Sequence, residues 1–143
     1  MSNAAMPSND TLMFTATEHG QDMHAQVKAF IATHIEPIEA QFWQECHSLN
    51  LDGHWQNWQW PEAYERLRKQ AREAGLWNLF LPDDELGAGL SVTDYAPIAE
   101  LTGRSLLAPH IFNCNAPDSG NMELLWRYGT EEQQQQWLTP LLD

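Results

Sequence analysis

Apolar positions recur at helical spacing along most of the chain. Between Met23 and Leu49 they lie three, four or seven residues apart, which is the spacing of one face of a long helix. Pro37 falls inside this pattern, and a proline there removes an amide donor and clashes with the preceding turn. We therefore predict a kink near His34, or two helices that meet there.

A second helix is predicted between Pro61 and Gly75. Proline is tolerated in the first turn of a helix, and glycine readily forms the left-handed cap that ends one. The inward stripe of this helix is predicted to comprise Tyr64, Leu67, Ala71 and Ala74. Residues 50–60 before it are interpreted as a loop fastened by Trp55, Trp58 and Trp60. After it, residues 76–82 are predicted to be buried extended chain, and the acidic residues 83–90 a mobile surface loop.

Two capping-box patterns mark further helix starts. Ser91 with Asp94 begins a third helix that ends at Gly103, and Thr130 with Gln133 begins a fifth; a fourth is predicted over residues 117–128. The residues predicted to face inward on these three helices are Tyr95, Ile98, Ala99, Thr102, Met122, Leu125, Tyr128, Trp137, Leu138, Leu141 and Leu142. Short connections and the lack of strand-like alternation predict an all-α helical bundle of about five to six helices.

The composition narrows the classes of partner and compartment. Seven Lys and Arg residues against twenty Asp and Glu give a net charge of −13, which argues against nucleic acid but not against one anionic small molecule. Cys46 and Cys114 form neither a metal cluster nor a disulfide framework, so we predict free thiols and a reducing, cytoplasmic location. No apolar run approaches the roughly 18 residues of a membrane helix, so no membrane span is predicted.

The N-terminus is set apart from the fold. Ser2, Asn3 and Ala4 resemble the remnant of a cleaved expression tag. We therefore assign residues 1–10 to a tag remnant and disordered start, and residues 11–143 to one helical domain with a single core. The sequence stops at Asp143, directly after an apolar-faced helix, and no segment carries a recognisable catalytic group. From this abrupt end we expect the chain to be the opening domain of a longer enzyme.

Three patterns that could indicate a metal site, a phosphate-binding loop or catalytic carboxylates are better explained by structural roles. The six histidines show no spacing typical of metal ligands. The Gly-Ala-Gly run at residues 87–89 lacks the lysine and the preceding strand of a phosphate-binding loop. The acidic run at residues 83–85 is typical of a solvated face. We therefore predict no metal site and no catalytic residue in this chain.

A stretch of small residues and short amides, NCNAPDSGNME at positions 113–123, opens the fourth helix. Gly120 costs that helix about 1 kcal/mol relative to alanine, so something is expected to approach the backbone closely there. One explanation is tight packing against a neighbouring helix. The other is the wall of a slot for a narrow apolar ligand whose polar end is fixed by amides. The residue pattern alone leaves both open.

From about residue 24 onward the chain resembles the N-terminal helical domain of the acyl-CoA dehydrogenases, which are FAD-dependent flavoenzymes. The resemblance rests on AGLWNLFLP at 74–82, YAPIAELTG at 95–103 and YGTEEQ at 128–133, followed by WL at 137–138 and PLL at 140–142. The segment at 113–123 is similar to one branch in particular, which in animals is found fused behind kinase-like domains.

This resemblance implies a fold of three parts, of which the chain would hold only the first. The other two are a middle β domain with much of the FAD site and a C-terminal helical bundle. The implied reaction is the α,β-dehydrogenation of an acyl-CoA thioester, in which a glutamate removes the α-proton and the β-hydride passes to the flavin. Both the glutamate and the flavin-binding motif would lie outside this chain. The implied partners are acyl-CoA and an electron-transfer acceptor, in a homo-oligomer.

The resemblance also favours the slot over the packing explanation. By the match to the family's pocket helix, one wall of the acyl slot is predicted to comprise Asn113, Ala116, Pro117, Gly120, Asn121 and Leu124. The isolated chain is then expected to retain no FAD and to be inactive. The alternative is a stand-alone helical module that binds a partner or a lipid-like ligand without catalysis.

Overall fold

Every regular element in the part of the chain that the structure describes is a helix. The structure, a computed structural model, describes residues 16–143, so the predicted tag remnant and start at residues 1–10 lie outside it. The helices are α1 (Glu18–Phe30), α2 (Glu39–Leu49), α3 (Ala63–Glu73), α4 (Val92–Thr102), α5 (Ala108–Ile111), α6 (Asp118–Tyr128), α7 (Glu131–Gln133) and α8 (Thr139–Leu142). π-Helical turns cover Ile31–Ile35 and Gln134–Leu138, and a 3-10 turn covers Trp55–Asn57. The all-α prediction is confirmed.

The break predicted at Pro37 separates α1 from α2. The π-helical turn prolongs α1 until the amide of Glu36 donates to the carbonyl of Ile31 at 2.9 Å, and Ile38 then donates only to Ile35 at 3.0 Å. Pro37 has no amide with which to continue either pattern. The chain therefore forms two helices that meet there, the second of the two predicted arrangements.

The core lies among α1, α2, α3, α4 and α5. Phe30 of α1 packs edge-on against Phe112, which follows α5, with ring centroids 5.4 Å apart. The largest completely buried side chains are Phe42, Phe112, Ile35, Leu67, Leu76, Leu79, Leu81, Leu90, Ile98, Leu107, Ile111 and Met122. Burying one side chain of this kind contributes about 1.5–3 kcal/mol, so these residues are the main source of stability.

Helix α3 is terminated at Gly75, as predicted, in the left-handed conformation with φ +71°. The amides of Gly75 and Leu76 donate to the carbonyls of Arg72 and Ala71 at 2.9 and 2.8 Å, which is the Schellman arrangement. Ala74 lies within this cap and is exposed, so its assignment to the inward stripe was wrong. The other three residues of the stripe are buried.

The segment between α3 and α4 corrects one prediction and shows what orders the loop that follows. The three leucines of residues 76–82 are fully buried, but the backbone turns at Asn78, where φ is +51°, and is not extended. An extended chain would point successive side chains to opposite faces, and only a turn brings them all to one core. Residues 83–90 form the predicted surface loop, and within it the Asp83 carboxylate accepts from the amides of Glu85 and Leu86 at 3.0 and 2.8 Å. The mobility of this loop stays a prediction.

One carboxylate joins the N-termini of α1 and α4. The predicted capping box of α4 is confirmed, with Asp94 Oδ2 accepting from the Ser91 amide at 3.3 Å and Ser91 Oγ accepting from the Asp94 amide at 3.1 Å. Asp94 Oδ1 accepts from the amide of Thr17 at 2.7 Å, and Thr17 Oγ1 in turn caps α1. This approach requires Gly20, because a Cβ there would lie 2.7 Å from Asp94 Cγ.

The loop at residues 50–60 is fastened by one tryptophan and one asparagine. Trp60 stacks on Tyr64 with ring centroids 4.4 Å apart. The Asn50 side chain donates to the carbonyl of Gln59 and accepts from its amide, both at 2.8 Å. Trp55 is 81% exposed, so it does not fasten the loop as predicted.

Two residues predicted to face inward near the end of the chain face outward. Tyr128 is 76% exposed and Trp137 is 56% exposed, whereas Met122 and Leu138 on the same helical segments are buried. A π-helical turn holds one more residue than an α-helical turn. The 3.6-residue period used for the prediction therefore does not hold across residues 134–138. Tyr128 is the last residue of α6, beyond the part of that helix that is packed.

Candidate functional site

Helix α6 and the residues before it present one uncovered face. It contains five of the six residues predicted for the slot wall, all of them exposed, and we call them the α6 surface: Ala116, Pro117, Gly120, Asn121 and Leu124. A Cβ added at Gly120 would meet no other atom within 4 Å. The tight-packing explanation of this glycine therefore fails within residues 16–143. The space beside Gly120 is open to a ligand or to another part of the protein.

The α6 surface continues into two open clefts. One of about 370 Å³ is lined by Gly120, Glu123, Leu124, Arg127 and Tyr128. The other, of about 260 Å³, is lined by Leu124, Leu125, Tyr128, Gly129, Gln133 and Trp137. Because the clefts share Leu124 and Tyr128, they form one groove. It runs from Gly120, near the start of α6, to Trp137 beyond the end of that helix.

The sixth predicted residue, Asn113, does not lie on the α6 surface. Its side chain is buried, and its backbone is left-handed with φ +54°. Nδ2 donates to Oδ1 of Asn78 at 2.7 Å and to the carbonyl of Leu141 at 2.8 Å, and it lies 3.9 Å from Sδ of Met122. Both amide protons are thus used inside the protein.

Asn78 and Asn113 both donate hydrogen bonds to carbonyls in the last turn of α8. Asn78 Nδ2 donates to the carbonyl of Leu142 at 3.1 Å and to that of Leu86 at 3.2 Å. The indole of Trp77 donates to the same Leu142 carbonyl at 2.7 Å. Together with Asn113, these side chains donate to the carbonyls of the last two residues of α8. We call Asn78 and Asn113 the asparagine clamp.

The opposite end of α6 is held by the side chain of Gln134. Its Nε2 donates to the carbonyls of Leu125 and Trp126, both at 3.1 Å, and to that of Gly129 at 3.3 Å. Gln134 and the residues bound by the asparagine clamp belong to one segment, residues 131–142. That segment therefore caps the C-terminal end of α6 and binds Asn113, which precedes the helix, while leaving the outer face of α6 uncovered.

Two arginines of α3 pack against Trp77, the residue next to the asparagine clamp. The guanidinium groups of Arg68 and Arg72 lie 4.6 and 4.1 Å from the centre of the Trp77 ring. Such cation–π contacts help to fix the indole that donates to Leu142. Arg68 also donates to the carbonyl of His110 at 3.2 Å. Burial and the charge of Arg68 lower the pKa of His110, so its imidazole is neutral at pH 7.

The titratable groups nearest α6 do not form a catalytic arrangement in the described part of the chain. Burial raises the pKa of the Cys114 thiol to about 11, so it is protonated at neutral pH and is a poor nucleophile. Burial also raises the pKa of the neighbouring Tyr95 hydroxyl. Glu123 forms an ion pair with Arg127 at 2.9 Å on the surface.

The α6 surface does not fit a complete flavin site. The only basic side chain that lines either cleft is Arg127, and it is paired with Glu123, so neither cleft offers a free cation to a dinucleotide pyrophosphate. Across residues 16–143, no three His, Cys, Asp or Glu side chains group as possible metal ligands. Within the same residues, no helix combines the length and the apolar character needed to cross a membrane.

Comparison with known proteins agrees with the helical fold. Residues 17–143 match the model of the acyl-CoA dehydrogenase N-terminal domain. Acyl-CoA dehydrogenase family member 11 of Rattus norvegicus is 45% identical over 130 residues, which cover 91% of this chain and 16% of that protein. Family member 10 of Mus musculus is 43% identical over 126 residues, covering 85% of this chain and 11% of that protein. A solved structure of a candidate acyl-CoA dehydrogenase from Mycobacterium abscessus has a TM-score of 0.79 and 48% identity, over 90% of this chain and 32% of the other.

The family match over residues 17–143 includes the elements that form the α6 surface and the asparagine clamp. The two animal relatives agree with the branch predicted from residues 113–123. The chain spans less than a fifth of the length of either relative, so it corresponds to one domain of them. The chain belongs to the acyl-CoA dehydrogenase family, whose N-terminal domain it matches over residues 17–143.

Proposed function

We propose that the full-length protein is an FAD-dependent acyl-CoA dehydrogenase that carries out α,β-dehydrogenation of acyl-CoA thioesters. In this proposal the α6 surface forms one wall of the acyl pocket. The observation that carries the proposal is the open face at Gly120, in a chain that belongs to this family. A glycine that meets nothing within its own domain is explained if a ligand approaches the helix there.

The chemical character of the groove suits a thioester with an apolar tail. Near the start of α6, Asn121 offers an exposed amide beside the small residues Ala116 and Gly120. Toward its end the groove is lined by Leu124, Tyr128 and Trp137, which would bury methylene groups. Each buried methylene contributes about 0.8 kcal/mol, so a groove of this kind favours longer acyl chains until it is filled.

The chain contributes binding and orientation in this proposal, and other parts of the protein contribute the reaction. The flavin, when bound, accepts the hydride from the β-carbon. The base that removes the α-proton is proposed to lie outside residues 16–143. The α6 surface would exclude water from one side of the acyl chain and hold that chain in a single orientation.

The same proposal extends to the electron acceptor, the oligomeric state and the cellular location of the enzyme. An acyl-CoA dehydrogenase passes its electrons to a further acceptor, and we propose an electron-transfer protein in that role and a homo-oligomeric enzyme. We propose a reducing, cytoplasmic location, which is supported by the two thiols, Cys46 and Cys114, both of which are free.

The full-length protein tests this proposal directly. We expect it to purify with flavin absorbance, and saturated acyl-CoA thioesters of increasing length to bleach that absorbance and to reduce an artificial dye. The isolated 143-residue chain should be colourless and inactive in the same assays. A full-length protein that neither binds flavin nor oxidises any acyl-CoA would overturn the proposal and favour a non-catalytic binding module.

A further inference from the structure

The asparagine clamp links three parts of the chain that are distant in sequence. Asn78 follows α3, Asn113 precedes α6, and the two carbonyls that they bind belong to Leu141 and Leu142. The two side chains are also bonded to each other at 2.7 Å. Movement at any one of the three places therefore has to be transmitted to the other two.

The clamp touches the inner side of the helix whose outer side forms the α6 surface. Asn113 Nδ2 lies 3.9 Å from Sδ of Met122, which is fully buried, whereas the neighbouring Asn121 is exposed. Gln134 is bonded to the carbonyls at the C-terminal end of α6. Side-chain amides therefore contact this helix at Met122 and at its C-terminal end.

The backbone conformation of both clamp residues restricts which side chains could replace them. Asn78 and Asn113 are the only residues other than glycine with positive φ in the described part of the chain. Asparagine is among the few side chains that tolerate this conformation, and such residues persist only where their surroundings hold them. Both are also buried, at 3% and 5% exposure. Two such residues bonded directly to each other form one unit.

We propose that Asn78 and Asn113 are positioning residues for the acyl pocket, acting on its width through α6. This inference rests on the proposed function, since it assumes that the α6 surface faces the acyl chain. Asn113 does not contact the substrate in this account. It holds the α6 surface at a fixed depth, and loss of its two hydrogen bonds lets the helix shift relative to the rest of the pocket.

The test compares Asn113→Asp with Asn50→Asp in the full-length enzyme. Aspartate keeps the shape and the tolerance of positive φ but removes the two protons donated to Asn78 and Leu141. Asn50 provides the matched control, because its Nδ2 likewise donates to two carbonyls, those of Cys46 and Gln59 at 2.7 and 2.8 Å, away from α6. Steady-state kcat and KM are measured with saturated acyl-CoA substrates of stepped length, together with Tm.

We expect Asn113→Asp to change the ratio of kcat/KM between long and short substrates by about tenfold, mainly through KM. Asn50→Asp should lower Tm and leave that ratio unchanged. The positioning role is overturned if Asn113→Asp lowers kcat/KM by the same factor for every chain length, or if Asn50→Asp changes the ratio equally. Asn78→Asp, which removes the donors to Leu142 and Leu86, should shift the ratio in the same way, and failure to do so also counts against the clamp.

The activity of the wild-type enzyme distinguishes failure of the proposed function from failure of the positioning role. A wild-type enzyme that oxidises no acyl-CoA would remove both the function and the positioning role. An active wild type whose chain-length profile is insensitive to the clamp variants would remove the positioning role alone.

Discussion

The side-chain amide of Asn113 donates a hydrogen bond to Oδ1 of Asn78 at 2.7 Å, across 35 positions of sequence. Each of the two residues also binds a carbonyl at the end of α8. Buried polar groups of this kind are expensive to leave without a partner. The pair therefore contributes to the stability of the domain as well as to the position of α6.

A double-mutant cycle on the 143-residue chain should show that Asn78 and Asn113 stabilise the domain cooperatively. We expect Asn113→Ala to lower the free energy of unfolding by about 2–4 kcal/mol, from two lost hydrogen bonds and a left-handed backbone that alanine disfavours. The double variant Asn78→Ala/Asn113→Ala should cost less than the sum of the single variants, by about 0.5–3 kcal/mol. Urea unfolding followed by far-UV circular dichroism measures all four proteins. Strict additivity would show that the two amides act independently.

Alanine substitutions at Gly20 and Gly120 should change the stability of the domain in opposite directions. A Cβ at Gly20 would lie 2.7 Å from Asp94 Cγ, whereas a Cβ at Gly120 meets nothing within 4 Å. We expect Gly20→Ala to destabilise the chain by about 1–3 kcal/mol because it overpacks the contact between α1 and α4. Gly120→Ala should stabilise it by about 0.5–1 kcal/mol through helix propensity. Thermal unfolding of the two variants side by side checks both signs, and destabilisation by Gly120→Ala would mean that its surroundings are not open.

Asp94 should make the domain sensitive to acid. Hydrogen bonds from Ser91, followed by that from the amide of Thr17, lower the pKa of the Asp94 carboxyl below its ordinary value. Because the folded state holds this group ionised, its contribution is fully present above about pH 4 and is lost as the pH falls through the lowered pKa. The stability difference between wild type and Asp94→Asn should therefore be largest near neutrality and shrink below pH 4. A difference that stays constant from pH 7 to pH 2.5 would contradict this.

Gln134 should act as a C-terminal cap for α6. Gln134→Ala removes hydrogen bonds to two of the last carbonyls of that helix and to the carbonyl of Gly129, which follows it, and should lower stability by about 1 kcal/mol. Gln135, the next residue, is exposed and provides the control. Gln135→Ala should leave Tm unchanged or raise it slightly, since alanine is the better helix former. Equal Tm values for the two variants would remove the capping role.

Much of the fold follows from local sequence signals. The break at Pro37, the cap at Gly75 and the capping boxes at Ser91 and Thr130 were all predicted, because each depends on a few neighbouring residues. The outward positions of Tyr128 and Trp137 could not be predicted in the same way. Trp137 lies within a π-helical turn over Gln134–Leu138, which an α-helical period does not anticipate. Tyr128 is the last residue of α6, beyond the part of that helix that is packed.

The candidate site was predicted in part for the same reason. The small residues around Gly120 indicated the open face, since their spacing is a local property of one helix. Asn113 was predicted to line that face, but its two hydrogen-bond acceptors come from Asn78 and Leu141, which no local pattern connects to it. Asparagine outside an α-helix tolerates left-handed backbone, but Asn50, Asn57 and Asn115 also lie outside the α-helices without adopting it, so composition alone does not single out Asn78 and Asn113.

The chain-length profile of Gly120→Leu in the full-length enzyme tests the central claim most directly. Leucine adds a branched side chain to open space, so folding should be retained while the groove is narrowed. Ala25→Leu, at an exposed position on α1, is the control. We predict that kcat/KM of Gly120→Leu falls by about tenfold or more for the longest accepted acyl-CoA and little for the shortest, with Ala25→Leu unchanged. A Gly120→Leu enzyme with the wild-type profile would contradict the assignment of the α6 surface to the acyl pocket.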